Sequence, residues 1–185
     1  MSEPIPDSIV LGGDGLLLRP YRAEDARALA AAVRESAESV GAWLPWCHAD
    51  YGDAEADAWI THCAESWRSG EHFAFAAFNA AEQFLGSAGL NQRNRPHNFM
   101  NLGYWIRASQ QGNGIAVRAA RLVVAFGFEH VGLTRIEILT ALGNRASRCV
   151  AEKTGATFEA VARNRLVDRG KPIGAAVYAL VPAGA

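Results

Sequence analysis

The sequence predicts one mixed α/β domain. Half of its 185 residues are apolar and one fifth are charged, which is the composition of a globular protein rather than of a disordered tail. Segments that alternate like β-strands are interleaved with segments at helical spacing. No internal repeat, low-complexity linker or change of composition divides the chain. We therefore expect a loose lead-in over residues 1–14 and a single domain over residues 15–183.

The elements are predicted in the order β-α-α-β-β-β-α-β-α-β-β. Strands are expected at residues 15–20, 73–78, 84–90, 101–106, 135–140, around 158–166 and at 175–181, and helices at residues 23–38, 54–69, 115–130 and 145–154. Asp53 can cap the second helix, and Gly132 and Gly155 end the last two, because glycine adopts the left-handed conformation that closes a helix. The aromatic segment 41–52 joins the first two helices.

Charge and cysteine usage exclude several classes of protein. The 18 basic and 19 acidic residues leave a net charge of −1, so no nucleic-acid partner is expected. Three cysteines are few and cannot all pair, which argues against a disulfide framework. This cysteine usage favours a reducing compartment. The start resembles no signal peptide, and the longest uncharged run, residues 172–185, is shorter than the roughly 18 residues that span a bilayer. We expect a soluble, cytoplasmic protein with no membrane partner.

The cysteines also argue against a metal centre. Cys-His pairs stand at residues 47–48 and 62–63, but zinc-site cysteines usually come as Cys-x-x-Cys pairs and the sequence has none. No metal is therefore expected. Cys149 lies two residues after Ser147, on a different face of the predicted helix, and is expected to be a small core residue rather than a nucleophile.

The strongest local feature is a strand that passes through a glycine turn directly into a helix. Gly112 and Gly114 lie in this turn, just before Ile115. The free N–H groups of a first helical turn, together with the helix dipole, form an anion site that suits phosphates. The glycine spacing alone fits a simple tight turn equally well. It matches neither a Walker loop nor a dinucleotide fingerprint.

Two motifs together carry a family resemblance. Residues 111–116, Gln-Gly-Asn-Gly-Ile-Ala, are similar to the Gln/Arg-x-x-Gly-x-Gly/Ala signature of the GNAT N-acetyltransferase superfamily. Residues 144–147, Asn-Arg-Ala-Ser, followed by Ala-Glu-Lys-Thr-Gly-Ala, resemble its second motif. The resemblance covers roughly residues 15–182. It implies the GNAT acyltransferase fold, in which a mixed, mostly antiparallel sheet is splayed at the acetyl-CoA site and flanked by helices.

Two further segments resemble the RimJ/RimL branch of this superfamily. They are Gly-Tyr-Trp at residues 103–105 and Trp-Leu-Pro-Trp at residues 43–46. That branch acetylates protein N-termini. The resemblance therefore implies that the chain is an acetyl-CoA-dependent N-acetyltransferase and that a protein N-terminus is the acceptor.

The resemblance also implies which residues bind acetyl-CoA. The backbone amides of the glycine turn would hold the pyrophosphate, a role that falls to Gln111, Gly112, Asn113, Gly114, Ile115 and Ala116. The pantetheine arm would lie beside the preceding strand, near Tyr104, Trp105 and Ile106. Asn144 would hold the arm from the opposite side. Arg118 and Arg121 either meet the CoA phosphates or form a solvated basic stripe.

The resemblance implies one catalytic residue, Ser147, but no general base. Ser147 would donate a hydrogen bond to the departing CoA sulfur; its alternative role is local hydrogen bonding in the first helical turn. Many relatives carry a glutamate where this sequence has Asn101, and the glutamate proposed for RimL aligns with Leu166. By chemistry alone, Asp168 and His72 are candidate bases. A chain of water molecules is an equal alternative.

Without an obvious base, an α-amine is the favoured acceptor for direct attack on the thioester. Its pKa near 8 makes the neutral form cost about 1.4 kcal/mol at pH 7, against roughly 4.6 kcal/mol for a lysine side chain. Trp43 and Trp46 are expected to bind this acceptor, although they could instead be core anchors. The sequence leaves open whether two copies form a homodimer.

Two other hypotheses stay open. The acceptor could be a small-molecule amine, namely a polyamine, an antibiotic or an amino-acid analogue. A polyamine would need an acidic pocket, for which the sequence offers Glu35, Glu38, Asp50 and Asp53 around the tryptophan segment. The absent base also allows a protein of another class, an acyl-CoA-binding sensor without turnover.

Overall fold

Eight strands form one open sheet in the part of the chain that the structure describes, and four helices pack on its faces. The computed structural model describes residues 5–182 and residue 184. The strands are β1 (Leu11–Gly13), β2 (Leu16–Pro20), β3 (Phe73–Asn79), β4 (Phe84–Asn94), β5 (Phe99–Ile106), β6 (Arg135–Ala141), β7 (Thr157–Asp168) and β8 (Lys171–Leu180). The helices are α1 (Ala26–Glu35), α2 (Asp53–Ser69), α3 (Ile115–Glu129) and α4 (Arg145–Thr154). Residues 1–4 of the expected lead-in and residue 183 of the expected domain lie outside the described residues.

The sheet is mixed and mostly antiparallel, and this confirms the predicted fold class. Its order is β1-β2-β3-β4-β5-β6-β8-β7. Neighbouring strands are antiparallel except β5 and β6, which are parallel and pair at three positions only, from Phe99 with Arg135 to Asn101 with Glu137. Beyond that point β5 continues to Ile106 and β6 to Ala141 without pairing with each other. The two strands therefore open into a fork.

Packing on one face of the sheet determines where α3 lies. The alternating side chains Phe73 and Phe75 of β3 point toward this face, and the ring centroid of Phe75 lies 5.0 Å from that of Phe126 on α3. A Cβ on Gly127 would lie 2.7 Å from Ile136 Cδ1. A larger residue at this position would therefore force the Ile136 side chain to move. The contacts of Phe126 and Gly127 hold the C-terminal half of α3 against the sheet.

The beginning of the chain differs from the prediction. Part of the expected loose lead-in forms β1, which pairs with β2. Asp14 and Gly15 connect the two strands with φ angles of 51° and 73°. A two-residue type I′ hairpin turn requires positive φ at both positions, and Asp-Gly is one of its preferred pairs. The sequence therefore carries a signal for this hairpin, although only a loose lead-in is predicted here.

The first helix is shorter than the predicted range of residues 23–38. Residues 23–25 form a 3-10 turn, and α1 ends at Glu35. The chain then folds back in successive turns. Gly41 approaches the backbone so closely that a Cβ would lie 2.1 Å from the oxygen of Ala37 and 2.3 Å from that of Cys47. Turns therefore occupy residues 36–38, where the sequence predicts the end of the helix. No helix in the described part of the chain is long and apolar enough to cross a membrane.

Candidate active site

A cavity of about 960 Å³ occupies the fork between β5 and β6. Its walls come from both strands, from the tryptophan segment after α1, from the turn before α3, from the first turns of α4 and from the β7–β8 hairpin. The lining is largely apolar with a few polar groups, the usual character of a small-molecule site. All of the predicted cofactor and acceptor residues except Asn113 line this one cavity.

The glycine turn leaves the start of α3 open. Gly112 and Gly114 have φ angles of 82° and 70°, in a region that L side chains rarely adopt. Gly114 is the N-cap of α3 and makes no side-chain capping bond. A Cβ on either glycine would meet nothing within 4 Å. The N–H groups of the first helical turn can therefore reach an anion such as a pyrophosphate.

Side chains beside the glycines hold the turn in place. Gln111 Nε2 donates to the carbonyl of Ile106 at 2.9 Å and to Ser39 Oγ at 3.2 Å. Asn113 Nδ2 donates to the carbonyl of Gln110 at 3.3 Å. Gln111 therefore ties the turn to the end of β5, while Asn113 closes the turn itself.

An ion pair joins α1 to the same turn. The Arg107 guanidinium donates to Glu35 Oε2, and the Ser109 N–H donates to Glu35 Oε1 at 2.8 Å. These hydrogen bonds, chiefly the one from Arg107, lower the pKa of Glu35 to about 2. Glu35 is one of the acids that the sequence offers for an acidic pocket. Its carboxylate instead accepts hydrogen bonds from Arg107 and Ser109.

The free edge of β5 offers backbone groups to a ligand. Tyr104, Trp105 and Ile106 line the cavity beyond the last pair between β5 and β6. Trp105 is buried, with 9% of its surface exposed, and its ring packs on the α1–α2 side of the sheet. Beyond Asn101, the edge of β5 that faces β6 is unpaired and can accept an added ligand strand.

Tyr104 and Ser147 meet across the cavity. Tyr104 Oη donates to the carbonyl of Ser147 at 2.9 Å and lies 3.2 Å from Ser147 Oγ. The Ser147 N–H donates to Asn144 Oδ1 at 3.0 Å, so Asn144 caps α4. The capped helix therefore presents the hydroxyl of Ser147 toward β5.

The two tryptophans stand at the mouth of the cavity. Trp43 and Trp46 are 44% and 41% exposed, so neither is a core anchor. Trp46 packs edge-on against Trp105, with centroids 5.6 Å apart. Trp43 approaches the other side of the fork, where a Cβ on Gly143 would lie 3.5 Å from Trp43 Cη2. The segment therefore bridges the mouth from one side to the other.

The cavity contains few titratable groups besides tyrosine and cysteine. Its lining includes His72, Lys153 and Asp168, whereas Glu38 and the acids at positions 50 and 53 lie outside it. Burial, with a smaller effect of His62, lowers the pKa of His72 to about 4, so this imidazole is neutral at pH 7. A base with so low a pKa accepts a proton only weakly at that pH.

Three other predicted residues lie in unexpected surroundings. Arg118 donates to the carbonyl of Asp14 and Arg121 to that of Lys153, both at 2.6 Å, and neither arginine lines the cavity. Both arginines therefore connect α3 to neighbouring segments. The expectation that Cys149 is a core residue is wrong: it is exposed and lines the cavity, because this face of α4 turns toward the fork.

The other two cysteines are buried thiols. Burial raises the pKa of Cys63 to about 12 and also raises that of Cys47, so both stay protonated, unlike the thiolates that bind metals. Among residues 5–182 and 184, no three His, Cys, Asp or Glu side chains are grouped so that they could hold a metal ion.

The splayed sheet and the open helix start at its fork define an acyltransferase of the N-acetyltransferase class. The chain belongs to the acetyltransferase (GNAT) domain family, whose model matches residues 15–157. This confirms the predicted family and enzyme class.

Individual relatives agree with this assignment. The Bacillus subtilis (strain 168) protein YdaF, provisionally named a ribosomal N-acetyltransferase, is 27% identical over 173 residues, which is 90% of this chain and 91% of YdaF. A Vibrio cholerae structure provisionally named a ribosomal-protein-serine acetyltransferase is 27% identical, with a TM-score of 0.82 over 96% of this chain and 100% of that one. RimL, a ribosomal L7/L12 α-N-protein acetyltransferase in complex with coenzyme A, shares the fold at 19% identity and a TM-score of 0.86, over 94% and 98% of the two chains.

Proposed function

We propose that the protein transfers an acetyl group from acetyl-CoA to the α-amine of a protein or peptide N-terminus. The observation that carries this proposal is the single cavity. It runs from the open start of α3 along the free edge of β5 to the tryptophan segment. A cosubstrate bound at one end and an acceptor bound at the other would meet beside β5. The names of YdaF and RimL support a protein acceptor.

The cosubstrate side fits a CoA thioester. The backbone amides of residues 111–116 receive the pyrophosphate, and the free edge of β5 from Tyr104 to Ile106 pairs with the amide groups of the arm. Asn144 faces the arm from the start of α4. Because the glycine turn follows the carboxyl end of β5, the arm runs back along this strand. Its thioester therefore lies toward Asn101, near the closed end of the fork.

The chemistry needs little beyond positioning. The neutral amine forms a C–N bond to the acetyl carbonyl carbon, the C–S bond breaks, and the sulfur leaves as a thiolate. Free backbone N–H groups of β5 polarise the carbonyl. Ser147 Oγ donates a hydrogen bond to the sulfur. Because an unperturbed thiol has a pKa near 8.5, one donor is sufficient help, and the amine releases one proton to water.

The charges in the cavity favour an α-amine over a polyamine. Asp168 is the one carboxylate in the described lining, so the cavity lacks the acidic pocket that a polycation would need. A site with a weak base also suits an amine that is partly neutral at pH 7. An α-amine meets this condition far better than a lysine side chain does.

A thiol-release assay tests the proposal. Peptides with a free α-amine are compared with the same peptides blocked at the N-terminus but carrying a lysine, and with spermidine. We expect the free α-amine to react at least about tenfold more efficiently. If acetyl-CoA binds in calorimetry but no amine releases thiol above the background rate, the protein is an acyl-CoA sensor and the proposal fails.

A further inference from the structure

A chain of amide groups crosses the closed end of the fork. The backbone N–H of Leu139 on β6 donates to Asn101 Oδ1 at 3.2 Å, and Asn101 Nδ2 donates to Asn91 Oδ1 at 2.9 Å. Asn101 is the last β5 residue that pairs with β6, and it is also paired with Asn91 of β4. The chain therefore lies where the two strands part.

The chemistry of these groups determines which way each amide points. A backbone N–H can only donate, so Asn101 must present its oxygen to Leu139 and its NH₂ group to Asn91. That NH₂ group can also only donate, so Asn91 must present its oxygen to Asn101. The NH₂ group of Asn91 is therefore directed away from Asn101. It donates to no other residue that the structure describes.

The free NH₂ group of Asn91 faces the cavity. It lies beside Gly103, where a Cβ would stand 3.3 Å from Asn91 Nδ2. Both residues line the cavity, and Gly103 has no side chain to cover the amide. The half-buried NH₂ group is thus an oriented donor near the position expected for the thioester.

A bulge in β4 follows Asn91 directly. The register between β4 and β5 shifts between Asn91 and Asn94, and Gln92 has a φ of 51°. A left-handed conformation is costly for a residue with a Cβ, and bulges beside active sites commonly re-aim a side chain. The bulge bends β4 just beyond Asn91 and supports a binding role for this position.

We propose that Asn91 Nδ2 binds the carbonyl oxygen next to the acceptor amine, so that the site recognises an α-aminoacyl group. This inference rests on the proposed transfer to an amine and narrows its acceptor. In a peptide N-terminus the carbonyl carbon lies two bonds from the amine nitrogen. A polyamine has no such oxygen. If it bound, it would bury the NH₂ group of Asn91 without a hydrogen-bond partner, which disfavours polyamine binding.

Paired acceptors and matched variants test this role. An alanine-led peptide is compared with its analogue in which methylene replaces the first carbonyl. We expect the unmodified protein to acetylate the peptide with a kcat/KM about tenfold higher than that for the analogue. Asn91→Ala lowers the value for the peptide about tenfold and leaves that for the analogue within about twofold. Ser87→Ala, on the same strand and in the same cavity, keeps the preference, because the Ser87 hydroxyl donates to the carbonyl of Phe75.

Asn91→Asp removes the NH₂ donor of this residue and keeps the oxygen that accepts from Asn101. Its carboxylate still accepts from Asn101 Nδ2 but cannot donate, so we expect the preference to disappear while the melting temperature and acetyl-CoA affinity stay close to those of the parent. Equal losses for both acceptors, or a parent without preference, would overturn the inference and leave amine transfer intact. A parent that acetylates no amine would instead defeat the proposed function itself.

Discussion

The hydroxyl groups of Tyr104 and Ser147 lie 3.2 Å apart, one on β5 and the other in the first turn of α4. Tyr104 has one proton, and it donates this proton to the carbonyl of Ser147 at 2.9 Å. Burial raises the pKa of Tyr104 to about 12, so this donor persists at neutral pH. Ser147 Oγ is therefore the donor in its contact with Tyr104 Oη, and in the proposed reaction this proton turns toward the departing sulfur. The contact of Oγ is to β5 rather than to the helix backbone.

Replacing Ser147 by alanine tests its proposed role as leaving-group donor. We expect turnover to fall about 10- to 100-fold, worth roughly 1.4 to 2.7 kcal/mol, because the hydrogen bond to sulfur matters mainly in the transition state. Acetyl-CoA affinity should change by less than about threefold. Ser69→Ala is the control, since the Ser69 hydroxyl donates to the carbonyl of Ser66 at the end of α2. Equal rates for Ser147→Ala and the parent would make this serine purely structural.

The glycine turn can be tested with two glycines of matching conformation. Gly114→Val should abolish acetyl-CoA binding in calorimetry and leave the protein folded, since a side chain there covers the open N–H groups of α3. Gly132→Val is the control. Gly132 has a φ of 71°, against 70° for Gly114, and neither glycine has an atom within 4 Å of its Cβ position. Both variants therefore carry similar backbone strain. Unchanged acetyl-CoA affinity in Gly114→Val would contradict the assignment of the glycine turn as the pyrophosphate site.

Trp46→Ala should act on the acceptor alone. We expect a higher acceptor KM or a changed acceptor preference, with acetyl-CoA affinity within about threefold, because Trp46 is 41% exposed at the cavity mouth. Trp67, at 4% exposure, is the contrasting case: its truncation should cost on the order of 3 to 5 kcal/mol of unfolding free energy. Melting temperatures measured with both substrate constants separate the two effects. A strongly destabilised Trp46→Ala with unselective losses would contradict the acceptor assignment.

The link between Glu35 and Arg107 predicts a specific acid dependence. The pKa of Glu35 falls from 4.5 to about 2 on folding, so its contribution to stability is complete above pH 4.5 and is lost as the pH falls from there to about 2. Glu35→Gln should lower the melting temperature at pH 7, flatten the acid loss in that window and raise the KM for acetyl-CoA. Glu38→Gln is the control, because Glu38 makes no side-chain hydrogen bond or ion pair with any residue that the structure describes. Parallel melting profiles for Glu35→Gln and the parent would show that the link does not stabilise the fold.

Local patterns predicted most elements of this fold. The glycine turn, Asn144 at the start of α4 and Gly155 at its end were all predicted, because a helix start or stop depends on residues within about one turn. The Asp14–Gly15 hairpin carries an equally local signal that was not used. The early end of α1 could not be predicted in this way, because Ser36, directly after α1, contacts the distant Ala108, whose N–H donates to Ser36 Oγ at 3.0 Å.

The sequence by itself determined the family, the order of the strands and helices apart from β1, and the motif positions that are proposed to bind the cosubstrate. Only the tertiary structure decided which distant groups meet at the fork. Tyr104 and Ser147 are 43 residues apart, Asn101 and Leu139 are 38 apart, and Glu35 and Arg107 are 72 apart. Such contacts follow from strand register and from helices packed on the sheet. Short sequence windows do not contain this information, because each partner lies on an element whose position the whole core determines.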